Sequence, residues 1–595
     1  MARKKKRGGP AAESAAGTSH DREDLKEKAE SDGSKPDGAA RKDRTTFDSI
    51  RENIEAFLIA VILAIVIRHF AVEAFEIPTG SMANTLFGMH SWLECPNCST
   101  EYNVALQSDS STGKISVRYQ KLLVCYERCH NPNCTLQLHS RGPSGRPLNS
   151  SVDLVKCGSC GQEFRGDPRN YRESSVHDEH NARCPICHHE VRHVVIEEKN
   201  RYGGHKILVT KFAYIVGKPH RWDVIVFEFD QWKNYIKRLV GLPGERIDVW
   251  DGDLYVGGKI ERKPPRVQQS LWRKISDSDV AERGLNPVAA WAEATPRERS
   301  SAPVSKSTRW NSTLKRWGVN ALDDVAILRY QRRFDNYYSY NLLSEHLTGT
   351  RGCPENVQVG DKKVSFTAKI AGKGQSLPGA SPARPSWIGA EIREGDFTFQ
   401  LRIPVGSASE TSPATLVRLA TDTGSFPSPD RSPHESGLRR AKALAVPIGA
   451  AARIELENLD DRVAARLNGE EILAIEYTSL APGASPQNCP DPPSESRDPG
   501  AHYVYLIASN LQVEIESIQV YRDMYYISRM DPTVPSILWP GIQLGEGQYF
   551  AMGDNAPSSS DGRYWGYIPE QNLMGKALLV FWPAWPANFQ WKFIR

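Results

Sequence analysis

Hydrophobic and polar residues are distributed very unevenly along the chain. The first fifty positions hold almost no large apolar side chains, and residues 56–67 then form an unbroken apolar run, AFLIAVILAIVI. A stretch with so few apolar groups cannot offset the entropy cost of ordering, so residues 1–52 are predicted to be a disordered tail with a basic tip. The apolar run predicts a helix, and its surroundings decide which kind.

This run is shorter than the ~20 residues that span a bilayer, so a buried helix or the core of a signal peptide is one interpretation. The tail before it is too long and too charged for an ordinary signal peptide, and Arg68 and Glu73 lie near one end, where long side chains reach the interface. We therefore predict a transmembrane anchor over 53–75. Because Arg51 and the basic cluster 4–7 precede it, we expect a cytoplasmic N-terminus and an extracytoplasmic remainder.

Further along the chain, alternating apolar and polar residues predict β structure. Segments such as KVSFTAKI and DFTFQLRI have a period of two, and Asn468-Gly469 is a strong signal for a two-residue hairpin turn. Residues 263–531 are predicted to hold a mixed first part, with helical stretches such as 323–334, and then a β-sandwich. The strand pattern loosely resembles concanavalin-like or laminin-G-like modules. Carbohydrate binding, protein binding and an inert spacer role all stay open for it.

Length and composition limit the number of domains, the kinds of partner and the number of membrane spans that the chain can have. A chain of 595 residues is expected to form about three or four domains. The net charge of +4 is too small over this length to indicate a nucleic-acid partner, and none is expected. The mean hydropathy of −0.49 excludes a polytopic membrane protein and leaves room for one anchor.

The cysteines define a separate region, predicted as a zinc-ribbon-like insert over 92–200. Paired CxxC motifs present two thiolates each to a tetrahedral ion, so the spacing favours structural zinc. Disulfides are the competing interpretation, because an outward-facing domain is oxidising. Two zinc sites are predicted, one formed by Cys157, Cys160, Cys184 and Cys187, and the other by Cys95, Cys98, Cys129 and Cys134.

Four short motifs point to a chemistry. They are EIPTGSMANTLFG at 76–88, GKPHRWDVIVF at 217–227, YIKRLVGLPGE at 235–245 and GDNAPSSSDGR at 553–563. In this order, behind a predicted anchor, they resemble the conserved boxes of bacterial type I signal peptidases, the membrane-anchored Ser/Lys endopeptidases that remove secretory signal peptides.

The chemistry can also be argued from the residues. A serine hydroxyl needs a base to become a nucleophile, and no His/Asp set is apparent near Ser81, so a lysine is the economical alternative. Lys237 is the candidate. It must be neutral at working pH, which requires burial or nearby cations such as Arg238 to lower its pKa.

The resemblance implies roles for further residues. The Thr79 hydroxyl and the Ser81 N–H are the implied oxyanion donors, and Ser559 is the implied partner of the lysine amine, although Ser558 and Ser560 are alternatives. A structural polar scaffold is implied for Arg238, Asp554, Asp561 and Arg563.

Two positions depart from the resembled pattern. Asn84 stands where the family has a proline, and Ala556 where an arginine usually follows the GDN triplet. We expect changes in loop rigidity and substrate contacts, since neither residue supplies the nucleophile or the base. A catalytically impaired surface scaffold, whose β-sandwich binds carbohydrate or protein, is the alternative.

Together these arguments predict a mainly β protein. A signal-peptidase-like antiparallel core is expected in three parts, 76–91 with the nucleophile, 201–262 with the lysine, and 532–595, separated by the two inserts. Catalysis is expected to need no cofactor. The expected partners are signal peptides of secreted preproteins, membrane lipid and, as a candidate, the secretion translocon, with the catalytic domain outside the cytoplasmic membrane.

Overall fold

The structure is a computed structural model. It describes residues 46–66, 72–106, 119–128, 137–140, 154–156, 163–165, 171–177, 182–191, 201–230, 233–286, 288–294, 308–311, 315–341, 357–374, 385–407, 412–419, 435–479, 502–528, 541–582 and 592–594.

Strands dominate these residues. Up to residue 262 they are β1 Val72–Glu76, β2 His90–Glu94, β3 Glu101–Ala105, β4 Tyr119–Arg128, β5 Gln137–Ser140, β6 Leu154–Lys156, β7 Glu163–Arg165, β8 Tyr171–His177, β9 Ala182–Arg183, β10 Glu190–Val191, β11 Arg201–Tyr202, β12 Lys206–Thr210, β13 Val224–Asp230, β14 Lys233–Gly241, β15 Arg246–Trp250, β16 Asp253–Val256 and β17 Lys259–Ile260. From 263 to 531 they are β18 Arg273–Asp277, β19 Trp291–Glu293, β20 Thr308–Asn311, β21 Arg316–Tyr330, β22 Lys362–Lys373, β23 Trp387–Glu394, β24 Phe397–Pro404, β25 Ala414–Leu419, β26 Glu435–Lys442, β27 Ala451–Leu459, β28 Arg462–Leu467, β29 Glu470–Glu476 and β30 His502–Arg522. The last are β31 Ile542–Gln543, β32 Gln548–Met552, β33 Ile568–Pro569, β34 Leu573–Trp582 and β35 Lys592–Phe593.

Helices are few and short. They are α1 Thr46–Val66, α2 Ala213–Val216, α3 Pro265–Leu271 and α4 Gly562–Trp565, with 3-10 turns at Gly80–Met82, Ala556–Ser558 and Glu570–Asn572. The mainly β prediction is therefore confirmed.

Helix α1 includes residues 56–66 of the apolar run, and all of it but Val66 belongs to a separate compact unit. Among the described residues, no helix combines the length and the apolar character that spanning a bilayer requires. The predicted anchor 53–75 is wrong at its C-terminal end, because β1 pairs Val72 with Thr210 and so lies in a sheet. Alternation of Val72, Glu73, Ala74 and Phe75 suits a strand better than the end of an apolar helix.

The sheet that carries the site joins distant parts of the chain. Its strand order is β1-β12-β34-β13-β14-β32-β33, with antiparallel pairing, and β35 adds to β34. Its interior faces are apolar, with Ile207, Val226 and Leu239 almost completely buried. Strands β14 and β32, which hold positions 237 and 550, therefore lie side by side, and β1 lies at the other end of the same strand order.

The second insert forms the largest sheet. Its main path is β26-β25-β24-β23-β30-β22-β27-β28-β29, and its two end strands, β26 and β29, lie against each other, so the sheet closes around an apolar core. Along β22, Val364, Phe366, Ala368 and Ile370 alternate into that core, as the period of two predicts. The turn at Asn468-Gly469 joins β28 to β29 with positive φ at both residues, which confirms the predicted hairpin.

One predicted element of this insert is wrong. Residues 323–334 are not helical, because 316–330 form β21, which pairs along β30. Val325, Ala326, Ile327 and Leu328 are all buried, so both faces of the strand are apolar. A continuous apolar run of this kind does not distinguish a buried strand from a helix.

Candidate active site

Ser81 lies in the 3-10 turn Gly80–Met82, directly after β1. The next buried side chains, Met82 and Leu86, pack into the apolar cluster beneath the site, together with Ile236. This packing fixes the turn, so the position of Ser81 is set by its apolar neighbours. The serine itself is 7% exposed.

Lys237 lies in the middle of β14, opposite Ile225 of β13. Its Nζ atom donates a hydrogen bond of 2.7 Å to Ser81 Oγ and another of 3.1 Å to the carbonyl of Ile236. The lysine is 3% exposed. The structure therefore brings together the two residues that the sequence pairs as nucleophile and base, although they are far apart in the chain.

Burial lowers the pKa of Lys237 to about 8, against an opposing effect of Asp561. Arg563 lowers that pKa further, and Asp554 raises it. The cation that lowers the pKa of Lys237 is thus Arg563, whereas the sequence suggested Arg238 for this effect. The lysine can deprotonate near neutral pH.

Two buried ion pairs surround the lysine. Arg238 donates to both oxygens of Asp554, from Nε at 2.8 Å and from Nη2 at 2.7 Å, and all four predicted scaffold side chains are fully buried. Arg563 binds Asp561 in the same bidentate manner, at 2.8 Å for each bond. Burial alone would raise the pKa of Asp561, but Arg563 holds it below the ordinary value.

Thr79 and Ser559 flank the serine–lysine pair in different ways. Thr79 is exposed and its side chain makes no capping hydrogen bond, so its hydroxyl is not engaged by the turn that it precedes. Ser559 is fully buried beside Gly553, where a Cβ atom on the glycine would lie 2.2 Å from the Ser559 Oγ. Ser558 and Ser560 are exposed. Lys237 Nζ donates to Ser81 and Ile236, and the buried Ser559 Oγ has no hydrogen-bond partner among the described residues, so the implied Ser559 contact stays a prediction.

Sequence reasoning missed an asparagine pair that holds the nucleophile turn. Asn555 donates its backbone N–H to the Ser81 carbonyl and its side-chain amide to the Gly80 carbonyl, both at 3.0 Å. Its side chain also exchanges hydrogen bonds of 2.7 and 2.8 Å with Asn341, which belongs to the second insert. The insert is therefore connected directly to the turn that carries Ser81.

Tyr340 is the second missed residue. Its ring lies over Gly80, where an added Cβ atom would come within 1.9 Å of it, and it stacks on Phe87 at 5.5 Å. Its hydroxyl donates to the Met89 carbonyl at 3.1 Å. No motif in the surrounding FDNYYSYN stretch signals this role, because the contact depends on how the insert folds back.

Four of the cysteines converge at a separate site. Cys95, Cys98, Cys184 and Cys187 are buried, and their sulfurs all lie within 4.8 Å of one another. The Cys95–Cys187 and Cys98–Cys184 sulfur distances are 3.4 and 3.6 Å, too long for disulfides and near the ~3.8 Å edge of a tetrahedral zinc–thiolate site with bonds of ~2.3 Å. The donor set fits zinc.

The predicted grouping of these cysteines is wrong. Cys184 and Cys187 meet Cys95 and Cys98, whereas the sequence paired them with Cys157 and Cys160. Cys95 and Cys98 lie in the turn after β2, and Cys184 and Cys187 lie in the turn after β9. The long segment of chain between these two turns begins and ends at the cysteine site. Sequence spacing alone favoured grouping Cys184 and Cys187 with the nearest CxxC motif, that of Cys157 and Cys160. The positions of Cys129, Cys134, Cys157 and Cys160 lie outside the described residues.

A buried serine–lysine pair on an antiparallel sheet defines a candidate serine peptidase, and comparisons with known proteins support that class. The family model described as "Signal peptidase, peptidase S26" matches residues 197–289 and 516–582. These two segments of the chain are thus similar to signal peptidases of this family. The matched segments contain Lys237 and the four scaffold residues but not Ser81, whose assignment rests on its geometry.

Curated relatives of the chain support the same class of protein. The Probable signal peptidase I-1 of Synechocystis is 39% identical over 75 residues, which are 12% of this chain and 37% of the relative. Signal peptidase I of Bacillus caldolyticus is 41% identical over 61 residues, 10% of this chain and 34% of the relative, and signal peptidase I V of Bacillus subtilis is 43% identical over 61 residues, 10% and 36%. The chain spans little more than a third of the length of these relatives.

Solved structures offer only distant likenesses. The galectin LEC-6 of Caenorhabditis elegans has a TM-score of 0.16 at 9% identity, covering 28% of this chain and 86% of that one. The VIP36 exoplasmic/lumenal domain has a TM-score of 0.24 at 10% identity, covering 41% and 86%. Scores this low assign neither a fold nor a function to the second insert.

Proposed function

We propose that this protein is a serine endopeptidase that removes N-terminal signal peptides from secreted preproteins, with Ser81 as nucleophile and Lys237 as general base. The observation that carries the proposal is the buried 2.7 Å contact between Lys237 Nζ and Ser81 Oγ. A lysine with a pKa of about 8 holds a substantial neutral fraction near neutral pH, and only the neutral amine accepts a proton.

The reaction divides into two steps. In the first, neutral Lys237 takes the Ser81 proton as Oγ attacks the scissile carbonyl, and the lysine then protonates the leaving amine. In the second, Lys237 removes a proton from water, which attacks the acyl-enzyme; as the ester bond breaks, the lysine returns this proton to Ser81 Oγ and the carboxylic acid product leaves. The Ser81 N–H and the Thr79 hydroxyl are proposed to donate to the oxyanion, and Ser559 to orient the amine.

The ion pairs and the asparagine pair are proposed to hold the reacting atoms in place. Asp554 and Asp561 balance the buried charges of Arg238 and Arg563, which would otherwise be costly. Asn555 fixes the Ser81 and Gly80 carbonyls, so the nucleophile turn cannot move away from Lys237. This intact arrangement supports an active enzyme rather than an impaired scaffold.

The first test is the pH profile of cleavage. A purified preprotein or peptide with a small-x-small cleavage site should be cut at a rate that rises with pH and reaches half its maximum near the Lys237 pKa of about 8, because deprotonation creates the base. The measurement is kcat/KM between pH 5 and 10. A rate that stays constant across this range would contradict a lysine base.

The location is also a proposal. We infer that the catalytic domain faces outward from the cytoplasmic membrane, with residues 1–52 on the cytoplasmic side, because the basic residues precede the apolar run. Protease added to cells stripped of their outer envelope should digest epitopes after residue 76 and spare an epitope within 1–52. Digestion of the tail with protection of the remainder would reverse the orientation.

A structural zinc ion in the first insert is the remaining proposal. Cys95, Cys98, Cys184 and Cys187 would hold it, and when bound it supplies a cross-link between two distant turns. No zinc ligand contacts Ser81 or Lys237 in the described residues, so the chemistry of the serine–lysine pair does not involve the metal.

A further inference from the structure

A cavity of about 270 Å³ lies beside the nucleophile segment. Asn84, three positions after Ser81, forms part of its wall, as do Tyr337 and Ser339, which directly precede the Tyr340 that covers Gly80. Three residues span at most about 11 Å, so an extended peptide held at Ser81 reaches this cavity within about three residues of its scissile bond.

The charge of the cavity wall is strongly positive. Its basic side chains are Arg183, Arg273, Lys274, Arg333 and Arg522, and the acid among the described lining residues is Asp335.

Most of these basic side chains already have ion-pair or hydrogen-bond partners within the protein. Asp335 is bound by Arg333 at 2.7 Å and by Arg183 at 3.4 Å, and Lys274 pairs with Asp277 at 2.7 Å. Arg522 donates to the carbonyls of Asp523 and Tyr337.

The partners of Arg273 are weaker than those of Arg522. Arg273 makes no ion pair with a described carboxylate, its hydrogen bonds to the Ser270 carbonyl and the Thr85 hydroxyl are long, at 3.3 and 3.4 Å, and its Nε atom is buried without a partner. Arg522 makes no ion pair with a described carboxylate either, but its bonds to backbone carbonyls are short.

Burial has the largest effect on the pKa of Arg273 and lowers it. Tyr338 and Asp554 oppose this effect, and the cations Arg522 and Arg238 add to it. A half-buried guanidinium whose Nε atom is buried without a partner is costly unless an anion pairs with it.

We propose that this cavity binds an acidic side chain of the peptide substrate, located within about three residues of the scissile bond, with Arg273 as the main partner of its carboxylate. The inference rests on the proposed peptidase function. A guanidinium with free donors suits a carboxylate, because it offers paired N–H groups in fixed geometry. Because Asn84, which lies close to Ser81 in the chain, forms part of the cavity wall, the carboxylate of a peptide bound at Ser81 is a better candidate ligand than an anion that is not part of the substrate.

The test uses pairs of synthetic peptides that keep a small-x-small site, in which Asp or Asn occupies either the middle position of that site or one of the three positions after the scissile bond. At one or more positions the wild-type chain should cleave the Asp peptide with a kcat/KM about tenfold above that of its Asn counterpart, the size of a charge-assisted contact. Arg273→Gln should reduce that ratio to about one, and Arg273→Lys should retain part of it.

The matched control is Arg266→Gln, an exposed arginine on α3 just before β18 that does not line the cavity. It should keep both the ratio and the overall rate, and thermal unfolding should show that the Arg273 variants are folded. Equal cleavage of Asp and Asn peptides at every position by wild type, or a preference that persists in folded Arg273→Gln, would overturn the proposal.

A measurement of peptide binding distinguishes failure of this proposal from failure of the proposed peptidase function. In the Ser81→Ala variant, fluorescently labelled Asp peptides should bind about tenfold more tightly than Asn peptides, and Arg273→Gln should remove the difference, whether or not the chain cleaves them. If wild type cleaves neither peptide yet this difference holds, the peptidase function fails and the binding site stands. Arg273-dependent binding of vesicles with anionic phospholipid, without any preference for Asp peptides, would instead assign the cavity to a lipid phosphate.

Discussion

Replacing either Ser81 or Lys237 by alanine should reduce preprotein cleavage by about 10³-fold or more, because removing a nucleophile or its base eliminates the covalent step and leaves only binding and oxyanion stabilisation. The 2.7 Å contact between the two side chains indicates that they act as a unit. The double variant should therefore be about as inactive as either single variant. The measurement is kcat/KM on one preprotein substrate.

Controls on the same elements make this test sharp. Lys233→Ala changes an exposed lysine of the same strand β14, and Ser558→Ala changes an exposed serine beside the buried Ser559. Both should keep near wild-type cleavage. Lys237→Met should be inactive yet no less stable at pH 7, because burial disfavours the charged lysine that it replaces. A folded Ser81→Ala or Lys237→Ala variant with substantial turnover would refute the proposed mechanism.

Removal of zinc should unfold the region around the cysteine site, since structural zinc binding contributes about 10–16 kcal/mol to the stability of small knuckle domains. The full chain should contain zinc by elemental analysis, and a strong chelator should expose the thiols to a labelling reagent. Reducing agent alone should leave the site intact, because thiolates on zinc need no disulfide. Finding the four cysteines oxidised in metal-free protein would replace the zinc site with disulfides.

Paired cysteine variants test how the ligands are grouped. Cys95→Ser and Cys184→Ser should each cost one zinc ion, and the double variant should cost the same single ion, because both residues belong to one site. Loss of two ions in the double variant would restore the grouping that the sequence spacing favoured. Cys353→Ser, outside the cysteine-rich region, is the control and should leave the zinc content unchanged. Cleavage should fall less in Cys95→Ser than in Lys237→Ala, since no zinc ligand takes part in the proton transfer.

The sequence by itself determined which residues are proposed for the chemistry. Ser81 and Lys237 stand in short motifs whose residue types suit the proposed reaction, and the acid and arginine scaffold lies in the lysine motif and the last motif. Period-two alternation likewise determined strands such as β22, and Asn468-Gly469 determined a hairpin, because these signals act over a few residues. Local rules apply wherever neighbours in sequence are also neighbours in space.

Tertiary structure decided what those local rules do not contain. It showed that residues 316–330 form a strand, because pairing with β30 buries both faces of an apolar run that is equally compatible with a helix. It joined Cys95 to Cys184 across a long excursion of the chain, and it brought Tyr340 and Asn341 of the second insert onto the Ser81 turn. It also left Arg273 half-buried and without an ion pair to any carboxylate of the described residues, a property of packing alone. Contacts between distant segments depend on how whole sheets pack, and no short stretch of sequence encodes that.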